Sequence, residues 1–101
     1  MSILHTVNKS PFVNNSLASC LRLAAQGDGI LLIEDGVYGG LNHTGFTPEL
    51  EQALANFTLY VLQPDLAARG IVNQAHPKVQ QIDYAGFVDL TVFYTNVQAW
   101  F

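Results

Sequence analysis

The chain has 101 residues, half of them hydrophobic and 12% charged, with four Lys and Arg against eight Asp and Glu for a formal charge of −4. That balance argues against a nucleic-acid backbone as the direct partner, because phosphate binding needs clustered cations. No apolar run approaches the roughly 20 residues of a membrane-spanning helix, and a single cysteine, Cys20, excludes an internal disulfide framework or a multi-cysteine metal cage.

A chain of this length can enclose one core, so residues 1–101 read as one domain. Twelve percent charge is about half the usual share for a soluble domain. Surface that is neither charged nor buried in one chain is commonly buried against another, so the composition predicts an oligomer. Met1 to Thr6 carries neither a basic n-region nor an apolar h-region of signal-peptide length. With the unpaired thiol, that points to a reducing cytoplasm.

Ile3 to Val7 reads as a first strand, stopped by the turn chemistry of Asn8-Lys9-Ser10-Pro11. A helix is predicted from about Asn15 to Gln26, capped by Asn14 or Asn15 and followed by Gly27. Its stripe of Leu17, Leu21 and Ala24 is apolar, and Leu23 points away from that stripe, which suggests an interface. Gly29 to Ile33 is a continuous apolar run, the pattern of a parallel strand covered on both faces. Val37 to Leu41 suggests a short turn of helix. Thr47-Pro48 opens a helix running to about Asn56, with Thr47 as cap.

Thr58 to Leu62 is a third strand, Asp65 to Arg69 a short helix stopped by Gly70, and Val79 to Ile82 a fourth strand. Asp83 caps a helix from Tyr84 to about Phe93, and Val97 to Trp100 is a fifth strand. Strands alternating with helices predict a three-layer α/β/α domain with a mainly parallel sheet of about five strands. The order of the strands is not legible.

No phosphate-binding P-loop, nucleophile elbow or dinucleotide fingerprint is present; Gly27-Asp28-Gly29 precedes a strand where such a fingerprint must follow one. His5, His43 and His76 have no ligand spacing, so no metal is expected, and His5 reads as a packed strand histidine. No cofactor is implied. Lys9-Ser10-Pro11, Glu34-Asp35-Gly36 and Gln63-Pro64-Asp65 end three strands, and a parallel sheet puts all three on its carboxyl edge, where ligands of open α/β folds sit. Asp35 and Asp65 are expected mainly as helix caps; a small-ligand site near them is the alternative. Cys20 is the one side chain capable of strong sulfur nucleophilicity, and the helical wheel places it at the border of the core face. It is the candidate catalytic residue, as a persulfide site, against the plainer reading of a small buried hydrophobe.

The chain also resembles a known family. Ser2-Ile3-Leu4-His5-Thr6-Val7-Asn8-Lys9-Ser10-Pro11-Phe12, Leu31 to Tyr38, Leu59 to Leu62 with Asp65-Leu66 and Ala68-Arg69-Gly70, Asp83 to Thr91, and Val97 to Trp100 together look like the DsrH/TusB family, nearer the DsrH branch. The resemblance implies a DsrE-like fold. It implies a subunit of a cytoplasmic sulfur relay, a heterohexameric sulfurtransferase complex with DsrE/TusD-type and DsrF/TusC-type homologous subunits. That complex passes persulfide sulfur to a DsrC/TusE-type carrier. The sulfur then serves either 2-thiolation of the tRNA wobble uridine or dissimilatory sulfur oxidation. In such complexes the main sulfur-carrying cysteine lies on the DsrE/TusD-type subunit. This chain is then expected as an accessory subunit, with Cys20 a secondary sulfur site.

Overall fold

A computed structural model describes residues 2–101. Five strands, β1 (Ile3–Val7), β2 (Gly29–Leu32), β3 (Thr58–Leu62), β4 (Gln80–Ile82) and β5 (Asn96–Trp100), form one sheet in the order β4-β3-β2-β1-β5. Every pairing is parallel. The helices are α1 (Ser16–Leu23), α2 (Thr47–Leu54), α3 (Gln63–Ala68) and α4 (Tyr84–Phe93), with 3-10 segments at Glu34–Gly40 and Val72–Gln74.

The order follows from crossover handedness. From β1 to β4 each new strand is added on the same side, so right-handed crossovers keep α1, α2 and α3 on one face. The chain then returns past β1 to place β5, and the same handedness sends α4 to the opposite face. Two core clusters result. Val7, Ile30, Leu32, Leu59 and Val61 point at α1, α2 and α3, with Leu17, Leu50 and Leu66 packed on them. Leu4, Leu31 and Tyr60 point the other way, toward Phe87, Leu90 and Tyr94.

α1 ends at Leu23, three residues before the expected Gln26. The carboxylate of Asp28 accepts the Ala25 N–H at 3.0 Å, the donor that would have made the next helical bond. At the other end Asn14 Oδ1 accepts the Ser16 N–H at 2.7 Å, while Asn15 occupies the cap position without a side-chain bond. Thr47 lies in the first turn of α2; its hydroxyl donates to Leu41 O and accepts from Thr44 N–H, fastening the preceding loop. Asp83 caps α4 as expected, accepting the Gly86 N–H at 2.8 Å.

Candidate functional site

Cys20 lies in α1 with no exposed surface, inside the cluster that also holds Val7, Leu17 and Val37. The wheel places it at a border. The structure encloses it, because α1 rests on both β1 and β5 and so is covered on both flanks of its apolar stripe. Burial first, then the nearby carboxylate of Asp28, pushes the thiol up to about 12. At neutral pH the sulfur is an uncharged thiol, and the thiolate is the form that attacks. The chain therefore holds Cys20 as packed side chain in this conformation.

Next to it is a polar cluster that sequence reasoning missed. His5, facing α1 from β1, and Asp28, just before β2, are both buried. His5 Nε2 lies 2.8 Å from Asp28 Oδ2, and the Trp100 indole N–H donates to His5 Nδ1 at 3.0 Å. An indole N–H only donates, so Nδ1 must accept; the imidazole proton sits on Nε2 and is donated to Asp28. Asp28 also accepts the Ile3 and Ala25 N–H groups, each at 3.0 Å. Burial alone would push the Asp28 carboxyl up, but these bonds, led by His5, outweigh it and hold the carboxyl below the usual range. The only clue in the sequence is that a Gly-Asp-Gly precedes a buried strand; its partners at positions 3, 5 and 100 meet only through the sheet.

The carboxyl edge gathers Glu34, Asp35 and Asp65, as a parallel sheet requires. Neither aspartate acts as the expected cap. Asp65 Oδ2 accepts the Glu34 N–H at 2.6 Å, holding Glu34 in the left-handed region at φ 50°. Asp35 Oδ1 accepts two bonds from the Arg69 guanidinium, at 2.8 and 3.1 Å. Both carboxylates are thus committed to stitching the β2 and β3 turns together. Gly36 is explained by close approach: a Cβ there would lie 2.1 Å from Val7 O. Strand order reverses between β1 and β5, and at that point the buried Asn8 Oδ1 has no hydrogen-bond partner among the described residues.

His76 is buried against α2, with Nε2 3.1 Å from Glu51 and Nδ1 accepting the Lys78 N–H. Like His5, it fixes a junction between elements. The remaining feature is apolar: Tyr84, Val88, Val92 and Phe93 on α4 stand exposed, as do Leu23 on α1, Phe12 and Val13 before it, and Val97 and Phe101.

Residues 9–97 match the family described as DsrH like protein. The chain belongs to the DsrH/TusB family. Protein TusB of Shigella dysenteriae serotype 1 is 37% identical over 98 residues, covering 97% of this chain and all of the relative. Protein TusB of Escherichia fergusonii is 38% identical over the same span. The crystal structure of the ychN protein from E. coli superposes with a TM-score of 0.84 at 19% identity, covering 98% of each chain, and is similar in fold. No helix of the described residues is long and apolar enough to cross a membrane.

Proposed function

We propose that this DsrH/TusB protein is a subunit of a cytoplasmic sulfur relay complex, and that its contribution is to complete the assembly around a reacting cysteine carried by a homologous subunit. The observation that carries the reading is full-length family membership joined to an unpartnered apolar helix on a chain with few charges. The complex would take sulfur from a donor persulfide. An acceptor thiolate attacks the outer sulfur, the S–S bond breaks, the donor leaves as a thiolate, and the sulfur remains on the acceptor as a persulfide. A DsrC/TusE-type carrier thiolate repeats the step, with no net oxidation. The names of the TusB relatives favour the tRNA thiolation branch over sulfur oxidation.

Cys20 is this chain's own candidate acceptor. Its burial and raised pKa support a packed role unless α1 lifts from β1 and β5. Coexpression with the DsrE/TusD-type and DsrF/TusC-type subunits is expected to give a stable complex of fixed stoichiometry. After a persulfide donor is added, mass spectrometry should show a gain of about 32 Da, roughly one sulfur, on the homologous subunit and none on Cys20. An adduct on Cys20 would make this chain a sulfur carrier; a chain that ignores both homologues would end the relay reading.

The orphaned Asn8 Oδ1 at the point of strand-order reversal favours a second reading, a small-ligand module at the carboxyl edge. A ligand with an N–H or O–H donor would satisfy that oxygen. Loss of such a ligand on Asn8→Ala, with the fold intact, is the discriminating result.

A further inference from the structure

α1 is a helix that cannot stand alone. It has eight residues, no side-chain bond from its cap residue Asn15 and no acidic residue in its first turn. Isolated helices shorter than about 12–15 residues are marginal in water, so α1 depends on what it rests on, β1 and β5. β5 is itself an edge strand. It pairs with β1 alone, and Asn96 to Ala99 are exposed, leaving Trp100 as its one half-buried residue.

Trp100 and Phe101 fasten both ends of α1. At its start the Ser16 hydroxyl donates to Phe101 O at 2.6 Å. Just beyond its end the fastening is a relay. The Trp100 indole N–H donates to His5 Nδ1 at 3.0 Å, His5 Nε2 donates to Asp28 Oδ2 at 2.8 Å, and the same oxygen accepts the Ala25 N–H at 3.0 Å. Trp100 sets the His5 tautomer that this relay needs. Without the indole donor the ring proton can move to Nδ1, and Nε2 would then turn a lone pair toward a carboxylate. Trp100 also packs on the apolar cluster that holds Cys20, with its ring 6.1 Å from that of His5.

We infer that α1 and β5 form one latch, with Trp100 as its catch: the two elements leave β1 together, and this opening brings Cys20 to solvent while β2, β3 and β4 stay folded with the other helices. A departing β5 strips Phe101 from Ser16 and the indole from His5, and so undoes both ends of α1. A departing α1 uncovers Trp100, the residue that seats β5. Proteins open in such contiguous units, drawn from elements with few buried contacts and exposed backbone bonds. Opening also removes the burial that keeps the Cys20 thiol uncharged, so reach and reactivity arrive together. This goes beyond the relay-subunit reading: it states what must move before Cys20 reacts with anything, and it holds whether or not this chain carries sulfur.

The test is labelling of Cys20 by a disulfide reagent in the full chain, with the urea stability of each variant measured alongside. Trp100→Phe removes the catch and is expected to speed labelling at least about fivefold, the effect of one hydrogen bond. Ser16→Ala is expected to speed it about twofold, because the helix preference of Ala offsets part of the lost bond. Tyr60→Phe breaks the buried Tyr60–Tyr94 hydrogen bond on the opposite face of the sheet. It should lower global stability and leave labelling in the absence of urea unchanged, since β3 stays folded in the open form. Hydrogen exchange read by mass spectrometry should show α1 and β5 exchanging together and ahead of β2 and β3. If Tyr60→Phe speeds labelling by the full factor it takes from the folding equilibrium, Cys20 is reached only when the whole chain unfolds, and the latch is overturned. If β5 exchanges early while α1 exchanges with β2 and β3, the strand frays by itself and the coupling is overturned. If Trp100→Phe leaves the labelling rate unchanged, the catch is overturned.

Discussion

At the scale of single residues, Asp28 is a buried junction between β1, the end of α1 and the start of β2. Four backbone or ring groups converge on one region through it: Ile3, Ala25 and His5 directly, and Trp100 through His5. Asp28→Asn leaves an amide facing N–H donors, and hydrogen bonds to a charged group contribute about 1.5–3 kcal/mol. A loss of about 2–3 kcal/mol in urea unfolding is expected. The sign of its pH dependence follows from the lowered carboxyl. Unfolded, Asp28 titrates near about 4, so its stabilisation is complete above that pH and disappears as pH falls through the lower native value. The wild-type and Asp28→Asn stability curves should therefore converge in acid and separate above about pH 4. Trp100→Phe removes the donor to His5 Nδ1 together with part of the ring packed on the core and against His5, and should cost at least about 1 kcal/mol.

Cys20 gives a kinetic prediction at the same scale. A thiol moved from its ordinary 9.0 to about 12 has its thiolate fraction reduced about a thousandfold at neutral pH. Labelling by a disulfide reagent at pH 7.5 should be slower in the native chain than in urea by a factor of that order. Rapid native labelling would mean that α1 opens readily and would return Cys20 to the relay chemistry.

Among the elements, the 3-10 segment Glu34–Gly40 is held to the sheet by contacts too close for a side chain. Gly36→Ala would set a methyl 2.1 Å from Val7 O, and because that atom is backbone the relief must come from moving β1 or the segment. A cost of about 2–3 kcal/mol, seen as a lowered urea midpoint, is expected from overpacking. All five strands and four helices were legible in the sequence, because each carries a local signal: a continuous apolar run, a proline near a helix start, an aspartate before α4. The end of α1 and the roles of Asp35 and Asp65 were not legible. A short acidic side chain near a helix is indistinguishable, in one dimension, from a cap; here Asp65 fixes the Glu34 backbone and Asp35 binds Arg69, both across to other elements. The border position given to Cys20 failed for the same reason, since the wheel knows one neighbouring strand and α1 has two. Within the candidate site, His5 was legible as a packed residue and its partners were not, because they lie 23 and 95 positions away.

For the whole molecule, low charge content and the exposed apolar side of α4 are one fact at two scales. A five-stranded sheet with a single crossing helix on one face leaves bare sheet beside that helix. Polar residues there would have left that side hydrated; Phe93 and Val92 instead leave apolar surface open to water, the kind of patch that marks an interaction site.

β5 has a further consequence for how the protein is made. β1 is synthesised long before its second neighbour, β5, at residues 96–100. Until those residues emerge, one rim of the nascent sheet stays open, and α4 is made with its greasy side uncovered just before that rim can close. Pairing β1 with β5 is the most sequence-distant strand pairing in the fold and so a slow step. Biogenesis of this protein should be most vulnerable to aggregation in the interval between synthesis of α4 and docking of β5.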